Sequence, residues 1–78
     1  MEVLDLRGLK CPLPALIARR ALARTAVGGE LAIISDDPLA AVDIPYMCDK
    51  EGHAVIALEQ LESGVRLVLR RNEPVRPA

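Results

Sequence analysis

The fold is indicated first by residues 3–34, VLDLRGLKCPLPALIARRALARTAVGGELAII, which predict a strand, a helix and a second strand. In residues 3–7 leucines alternate with charged residues, as in a strand with one buried face, and Gly8 ends this strand. A helix is predicted from near Pro12 to a Gly-Gly pair, and residues 31–34 form a short apolar strand. One stripe of the helix should face the core, because its members recur at helical spacing: Pro14, Ile17, Ala18, Ala21, Leu22 and Thr25.

A second helix is predicted after this unit, with an interruption. Asp37 is expected to cap it, with Pro38 in the first turn. Pro45 should break the helix because proline lacks a backbone N–H and disfavours helical angles in the preceding residue. We therefore expect a short turn at 38–43 and a helical piece at 45–51.

A β-hairpin is predicted next, with strands at 53–60 and 65–71 and a turn at 61–64. The element order is thus β-α-β-α-β-β. It predicts an α/β two-layer sandwich, in which a mixed four-stranded sheet carries two helices on one face. We expect residues 1–71 to form a single domain and residues 72–78 to be a flexible tail.

The composition limits the functions that the chain can have. Its 78 residues suffice for one small core, and 51% of them are apolar although Tyr46 is the only aromatic residue. The core must be aliphatic, and single-stranded nucleic acid would find no aromatic platform to stack on. No stretch approaches the roughly 20 apolar residues of a membrane span, and the beginning of the chain does not resemble a signal peptide. We expect a cytoplasmic monomer with reduced cysteines.

Charge is divided along the chain, although it nearly balances overall at −1. Residues 1–29 carry a net charge of +3, residues 30–64 carry −7 and residues 65–78 carry +3. The basic ends predict contact with an acidic partner surface, whereas ordinary solvated faces are the simpler interpretation.

The clearest chemical signal is the stretch RGLKCPLP at residues 7–14. Pro12 suits the first position of a helix, so Cys11 is expected to be the N-cap residue, near free backbone N–H groups. The positive end of the helix dipole, together with Lys10 and Arg7, should lower the pKa of the Cys11 thiol and make it nucleophilic. The alternative, a small buried cysteine, fits a helix start less well.

The residues that follow Cys11 predict a rigid turn and a docking patch. Pro12 and Pro14 should hold the turn in one shape. Four further residues lie off the buried stripe of the helix and combine leucines with a basic rim, which is typical of a surface that binds a partner. They are Leu13, Leu16, Arg19 and Arg20. The alternative is that the sheet or the second helix partly covers the two leucines.

The remaining candidate residues are given structural roles. Cys48 lies on the same helical face as Ile44 and is expected in the core, since free cysteine is among the most buried residue types. His53 stands at a strand start, where a structural hydrogen bond is expected. The two cysteines and His53 fit no zinc spacing, so we expect neither a metal nor a cofactor. Three aspartates are interpreted as capping and solvating the second helix: Asp36, Asp37 and Asp43.

The chain resembles the TusA/SirA-like family of small sulfur carrier proteins, over about residues 3–71. The resemblance starts from the Cys-Pro-x-Pro motif and rests on several motifs taken together. The matching motifs, in the order and spacing of the family, are LDLRG at 4–8, CPLP at 11–14, GE at 29–30, DDP at 36–38, DIP at 43–45, Cys48 and GH at 52–53.

The resemblance implies the same β-α-β-α-β-β sandwich, and it implies that Cys11 carries sulfur as a persulfide. A donor protein, such as a cysteine desulfurase or a rhodanese-type protein, would supply the sulfur, and an acceptor protein would receive it. In some members the route ends in 2-thiolation of tRNA. In others it feeds sulfur oxidation, molybdenum cofactor synthesis or selenium metabolism. Cys48 matches a position that is often cysteine in relatives without being their sulfur carrier.

Two other hypotheses stay open at the level of the sequence. The first is a nucleic-acid-binding or regulatory module that uses the basic ends and no covalent chemistry. The second is a thiol switch that pairs Cys11 with Cys48, which requires their Cα atoms to lie within roughly 7 Å.

Overall fold

The computed structural model describes residues 1–72, and residues 73–78 of the predicted tail lie outside the described part. Within residues 1–72, neither helix is long and apolar enough to cross a membrane. The elements follow the predicted order: β1 (Glu2–Asp5), α1 (Leu13–Arg24), β2 (Glu30–Ser35), α2 (Ala40–Glu51), β3 (Ala54–Gln60) and β4 (Val65–Arg70).

The four strands form one mixed sheet in the spatial order β1-β2-β4-β3. β1 and β2 are parallel, as expected when a helix connects neighbouring strands, and β4 is antiparallel to both β2 and β3. The parallel pair positions the site, because the carboxyl ends of β1 and β2 lie at the same edge of the sheet. The loops that follow these two strands therefore meet.

Both helices pack on the same face of the sheet through an aliphatic core. Leu31 lies opposite Leu69, and Ile33 lies opposite Leu67, across β2 and β4, and all four side chains are completely buried. Burying each such side chain contributes about 1.5–3 kcal/mol to stability. The predicted two-layer sandwich is thus confirmed. The helices contribute Ala18, Ala21, Leu22, Ala40, Ile44 and Cys48 to this core.

Helix α2 is continuous, so the predicted interruption at Pro45 and the separate turn at 38–43 are wrong. Proline at this position removes one N–H donor, which would have bonded to the carbonyl of Ala41. Ile44 and Cys48, on either side of Pro45 along the helix, are both buried against the sheet. Packing of this face outweighs the loss of one backbone hydrogen bond, as tertiary context often does.

The end of α1 is tied to the end of β4 by Arg71. Its Nη1 donates hydrogen bonds to the carbonyls of Ala23, at 2.9 Å, and Thr25, at 2.6 Å. Its backbone exchanges hydrogen bonds with the Gly28 N–H and the Gly29 carbonyl. A cation at the carboxyl end of a helix also interacts favourably with the helix dipole. These contacts hold α1, and with it the turn that precedes α1, against the sheet.

Candidate functional site

Cys11 lies on an exposed turn between β1 and α1. The Leu13 N–H bonds to the Lys10 carbonyl at 2.9 Å and closes a turn with Cys11 and Pro12 at its centre. Helix α1 begins at Leu13, with Pro12 in the N-cap position, so the prediction that Cys11 caps the helix is wrong. Pro14, and not Pro12, lies in the first turn of the helix. The N–H groups of that turn have no partner within the helix, so the missing N–H of proline costs no hydrogen bond.

The buried carboxylate of Asp37 holds the backbone of this turn. It accepts hydrogen bonds from the backbone N–H of Cys11 and, at 3.1 Å, from the N–H of Leu39 at the entry to α2. The N–H of Asp37 donates in turn to the Oγ of Ser35, which is completely buried, at 3.2 Å. The N-cap residue of α2 is Leu39 and the helix begins at Ala40, so the prediction that Asp37 caps it with Pro38 in the first turn is wrong. Residues 37–40 instead form a turn before the helix, closed by the bond from the Ala40 N–H to the Asp37 carbonyl at 3.0 Å. The bond to Cys11 was not predicted.

The Cys11 thiol contacts Asp43, in the first turn of α2. The distance from Sγ to Oδ2 is 3.0 Å, so the thiol donates a hydrogen bond to the carboxylate. This bond raises the pKa of the Cys11 thiol, and desolvation and the negative charges of Asp43 and Asp37 act in the same direction. The predicted lowering of the pKa is therefore wrong, because the sulfur lies beside carboxylates instead of capping a helix.

The basic residues that were expected to assist Cys11 make other contacts. The Arg7 guanidinium pairs with Asp5, with Nη2–Oδ2 at 2.6 Å and Nε–Oδ1 at 2.9 Å. This pair lowers the pKa of Asp5 to about 2. Lys10 contributes its backbone carbonyl to the turn, and its side chain is exposed. The side chains in hydrogen-bond contact with Cys11 are acidic, although residues 1–29 carry a net charge of +3.

The predicted docking patch lies on α1 beside the Cys11 turn. Leu13 and Leu16 are 46% and 48% exposed, and Arg20 is also exposed. Arg19 pairs with Glu51 of α2, with Nε–Oε1 at 3.1 Å. A groove of about 320 Å³ separates the two helices here, and we call it the interhelical groove. The residues that line it include Pro12, Leu16, Arg19, Asp43, Tyr46 and Met47.

Cys48 and His53 have the structural roles predicted for them. Cys48 is 1% exposed and belongs to the core, and this burial raises the pKa of its thiol to about 11. A buried, protonated thiol is a poor partner for disulfide exchange, which argues against a switch between Cys11 and Cys48. The Nδ1 of His53 accepts the Asn72 N–H at 3.2 Å. Within residues 1–72, no group of three His, Cys, Asp or Glu side chains is arranged to hold a metal ion.

The aspartates of the site are the functional residues that sequence reasoning missed. Asp36 joins Asp37 and Asp43 in this group, because its Oδ1 accepts a hydrogen bond from the N–H of Gly8, in the β1–α1 loop, at 3.0 Å. A signal was available, because the DDP motif directly follows β2 and the Cys11 loop follows β1. In a β-α-β unit with parallel strands these two loops meet at one edge of the sheet.

Comparisons with known proteins agree with this fold. The sequence profile of the family described as Sulfurtransferase TusA matches residues 2–71. A protein of Archaeoglobus fulgidus, named as a candidate sulfur carrier protein, is 40% identical over 77 residues, which cover 97% of this chain and 100% of that protein. The crystal structure of the SirA-like protein from Desulfitobacterium hafniense shows the same fold, with a TM-score of 0.80, 24% identity, and coverage of 94% of this chain and 100% of that one. The chain therefore belongs to the TusA family.

Proposed function

We propose that the protein is a sulfur carrier of the sulfurtransferase type, which holds one sulfur atom as a persulfide on Cys11. Membership of the TusA family and the name of the Archaeoglobus fulgidus relative support the carrier role. The observation that carries the assignment to Cys11 is its position on an exposed turn whose backbone is held by the buried Asp37 carboxylate. Cys48 is enclosed in the core and is closed to another protein.

The proposed reaction is an exchange between a thiol and a persulfide. The Cys11 thiol loses its proton, and the thiolate attacks the outer sulfur of a persulfide on the donor protein. The bond from this sulfur to Cys11 Sγ forms while its bond to the donor cysteine breaks, and the donor leaves as a thiolate. Delivery to the acceptor is the same exchange with an acceptor thiolate as the attacking group. Both steps occur between proteins, so an exposed sulfur suits them better than a substrate pocket.

The partners in this proposal are a donor, such as a cysteine desulfurase or a rhodanese-type protein, and an acceptor protein. The acceptor passes the sulfur on, for example towards 2-thiouridine in tRNA or into another sulfur pathway. The carrier acts as a monomer in the cytoplasm, where reducing conditions keep Cys11 available as a thiol. The carboxylates beside Cys11 do not favour direct binding of nucleic acid there.

We propose that both partners dock on the surface beside the turn. Pro12 and Pro14 hold the turn, Lys10 adds exposed positive charge to its rim, and Arg7, in the same loop, is paired with Asp5. Exposed leucines rimmed by arginines are typical of such an interface. The proposed docking residues are Leu13, Leu16, Arg19 and Arg20.

Incubation with a cysteine desulfurase and free cysteine tests the proposal. Intact-protein mass spectrometry should show the added mass of one sulfur atom on the wild type, and a reducing agent should remove it. Cys48→Ser is the matched control and should still be loaded, whereas Cys11→Ser should not. Loading that persists in Cys11→Ser, or its absence from the wild type with several donors, would overturn the proposal.

A further inference from the structure

The contacts of Cys11 oppose the reactivity that a sulfur carrier needs. The thiolate is the nucleophilic form of cysteine. Cys11 Sγ instead donates a hydrogen bond to Asp43 Oδ2 at 3.0 Å, and the Asp37 carboxylate accepts the Cys11 N–H on the same turn. Both negative charges favour the protonated thiol, in agreement with the raised pKa of Cys11. The positive charge that releases the thiolate must therefore come from outside this pair of contacts.

The charged side chains around Asp43 do not supply this positive charge. Within residues 1–72, Asp43 forms no ion pair. Of the cations that line the interhelical groove with it, Arg19 is paired with Glu51, and the Lys50 Nζ lies 5.5 Å from the centre of the Tyr46 ring. The neighbouring β2–α2 loop adds further negative charge through Asp36 and Asp37.

We infer that Asp43 holds Cys11 as a neutral thiol in the free carrier, and that the sulfur donor presents an arginine or lysine that pairs with Asp43 and releases the Cys11 thiolate. The inference rests on the proposed function and identifies the chemistry of the donor surface that faces Cys11. Asp43 contacts the reacting sulfur and restrains it until the donor is bound. The open groove beside Asp43 and Pro12 leaves room for a long cationic side chain.

The transfer step then balances without a further reagent. Pairing with the donor cation neutralises the Asp43 carboxylate, so that the thiol proton is no longer held and passes to solvent. The Cys11 thiolate attacks the outer sulfur of the donor persulfide, the new S–S bond forms, and the bond to the donor cysteine breaks. The donor thiolate leaves with the electron pair. When the donor departs, the charge of Asp43 is exposed again.

The first half of the inference is tested on the free carrier. The rate of Cys11 alkylation by iodoacetamide is measured against pH for the wild type, Asp43→Asn and Asp43→Ser, by peptide mass spectrometry. Both variants should react about tenfold faster than the wild type at neutral pH, because their thiolate fraction is larger. Asp49→Asn, an exposed acid on the same helix, is the matched control and should match the wild type. Coincident pH profiles for the wild type and both Asp43 variants would overturn the restraint.

The second half is tested with two sulfur donors. Glutathione persulfide, a small anion, should load Asp43→Asn faster than the wild type. A cysteine desulfurase should load the wild type faster than Asp43→Asn. Its loading of the wild type should also fall more steeply with salt than its loading of Asp43→Asn, because salt screens the ion pair between Asp43 and the donor cation. If both donors load Asp43→Asn faster, the inferred cation on the donor is contradicted. If both donors load the wild type faster, the inferred restraint of Cys11 by Asp43 is contradicted. No loading by any protein donor, together with a shifted alkylation profile, would overturn the proposed function and leave the restraint standing.

Discussion

At the scale of single residues, the shape of the site depends on the Asp37 carboxylate. It is 6% exposed, and it accepts backbone N–H groups from Cys11 and Leu39, which belong to two different loops. A carboxylate has an acceptor oxygen for each of them. Asparagine has one oxygen and one NH₂ group, and the NH₂ group would face an N–H that it cannot bind. Replacing Asp37 with asparagine therefore keeps one of these two hydrogen bonds and loses the other.

Asp37→Asn should lower the free energy of unfolding by about 1–3 kcal/mol, because one buried backbone N–H loses its acceptor. Asp37→Ala should lower it further, since both N–H groups then lose theirs. Urea denaturation followed by circular dichroism measures the change. Asp36→Asn is the control, because Asp36 makes one exposed hydrogen bond, to Gly8, and its loss should matter little. Equal stability of the Asp37→Asn and Asp36→Asn variants would contradict the role given to Asp37.

The sequence indicated Cys11 as the candidate reactive residue, but it did not predict the charge around that residue. Cys11 and the prolines that follow it form a local motif, so their proximity depends only on the chain itself. Asp37 and Asp43 reach Cys11 across 26 and 32 positions of sequence, after a crossover helix and a loop. The sign of the pKa shift at Cys11 follows from these distant residues. A local pattern therefore singled out Cys11 as the candidate nucleophile and gave the wrong direction for its pKa.

At the scale of elements, the β3–β4 turn packs against the chain segment that carries the site aspartates. Gly64 has φ +96°, and a Cβ built there would overlap the carbonyl oxygen of Ser35 and lie 2.8 Å from the Cα of Asp36. A side chain at this position would push the turn away from the end of β2. Gly64 thus lets the hairpin support the loop from which Asp36 and Asp37 project.

Gly64→Ala should lower the free energy of unfolding by about 2–5 kcal/mol, since it combines left-handed strain with overpacking against backbone. Gly8→Ala is a matched control, because Gly8 has a similar φ of +90° but nothing within 4 Å of its Cβ position. That control should lose only the strain, about 1–2 kcal/mol. Thermal and urea unfolding of both variants gives the comparison. Equal losses in the two would show that the Gly64 turn has room for a side chain.

The existence and order of the elements were predictable, whereas two helix starts and one helix interruption were not. A helical pattern located α1 and period-two alternation located β1, whereas β2 was predicted from a short apolar run, and β3 and β4 from the turn between them. Proline was the less reliable signal. Pro12 stands before α1 instead of inside it, and Pro45 lies within a continuous α2. In each case hydrogen bonds or packing to another element decided the outcome, and these are not visible in a local window.

At the scale of the whole molecule, stability is coupled to pH through the core. The composition predicted an aliphatic core, and Cys48 is its one titratable side chain among the described core residues. Burial raises the pKa of Cys48 from 9.0 to about 11. The native state therefore keeps a proton that the unfolded chain releases over this interval. Stability from this group is fully present below about pH 9 and is lost as the pH rises towards 11.

The loss should reach about 2–3 kcal/mol of unfolding free energy between pH 9 and pH 11, given a pKa that rises from 9.0 to about 11. Cys11, whose pKa is also raised, would add to the same trend, so the measurement is made in Cys11→Ser protein. Urea denaturation at a series of pH values is compared with that of the Cys11→Ser, Cys48→Ala double variant. Other groups that titrate in this range are the same in both proteins, so they cancel in the difference.

The double variant should be less stable at neutral pH, because a buried group has been removed, yet the difference in unfolding free energy between the two proteins should narrow above pH 9. Parallel curves would mean that Cys48 meets water in the folded protein, and the closed core that leaves Cys11 as the accessible thiol would have to be abandoned.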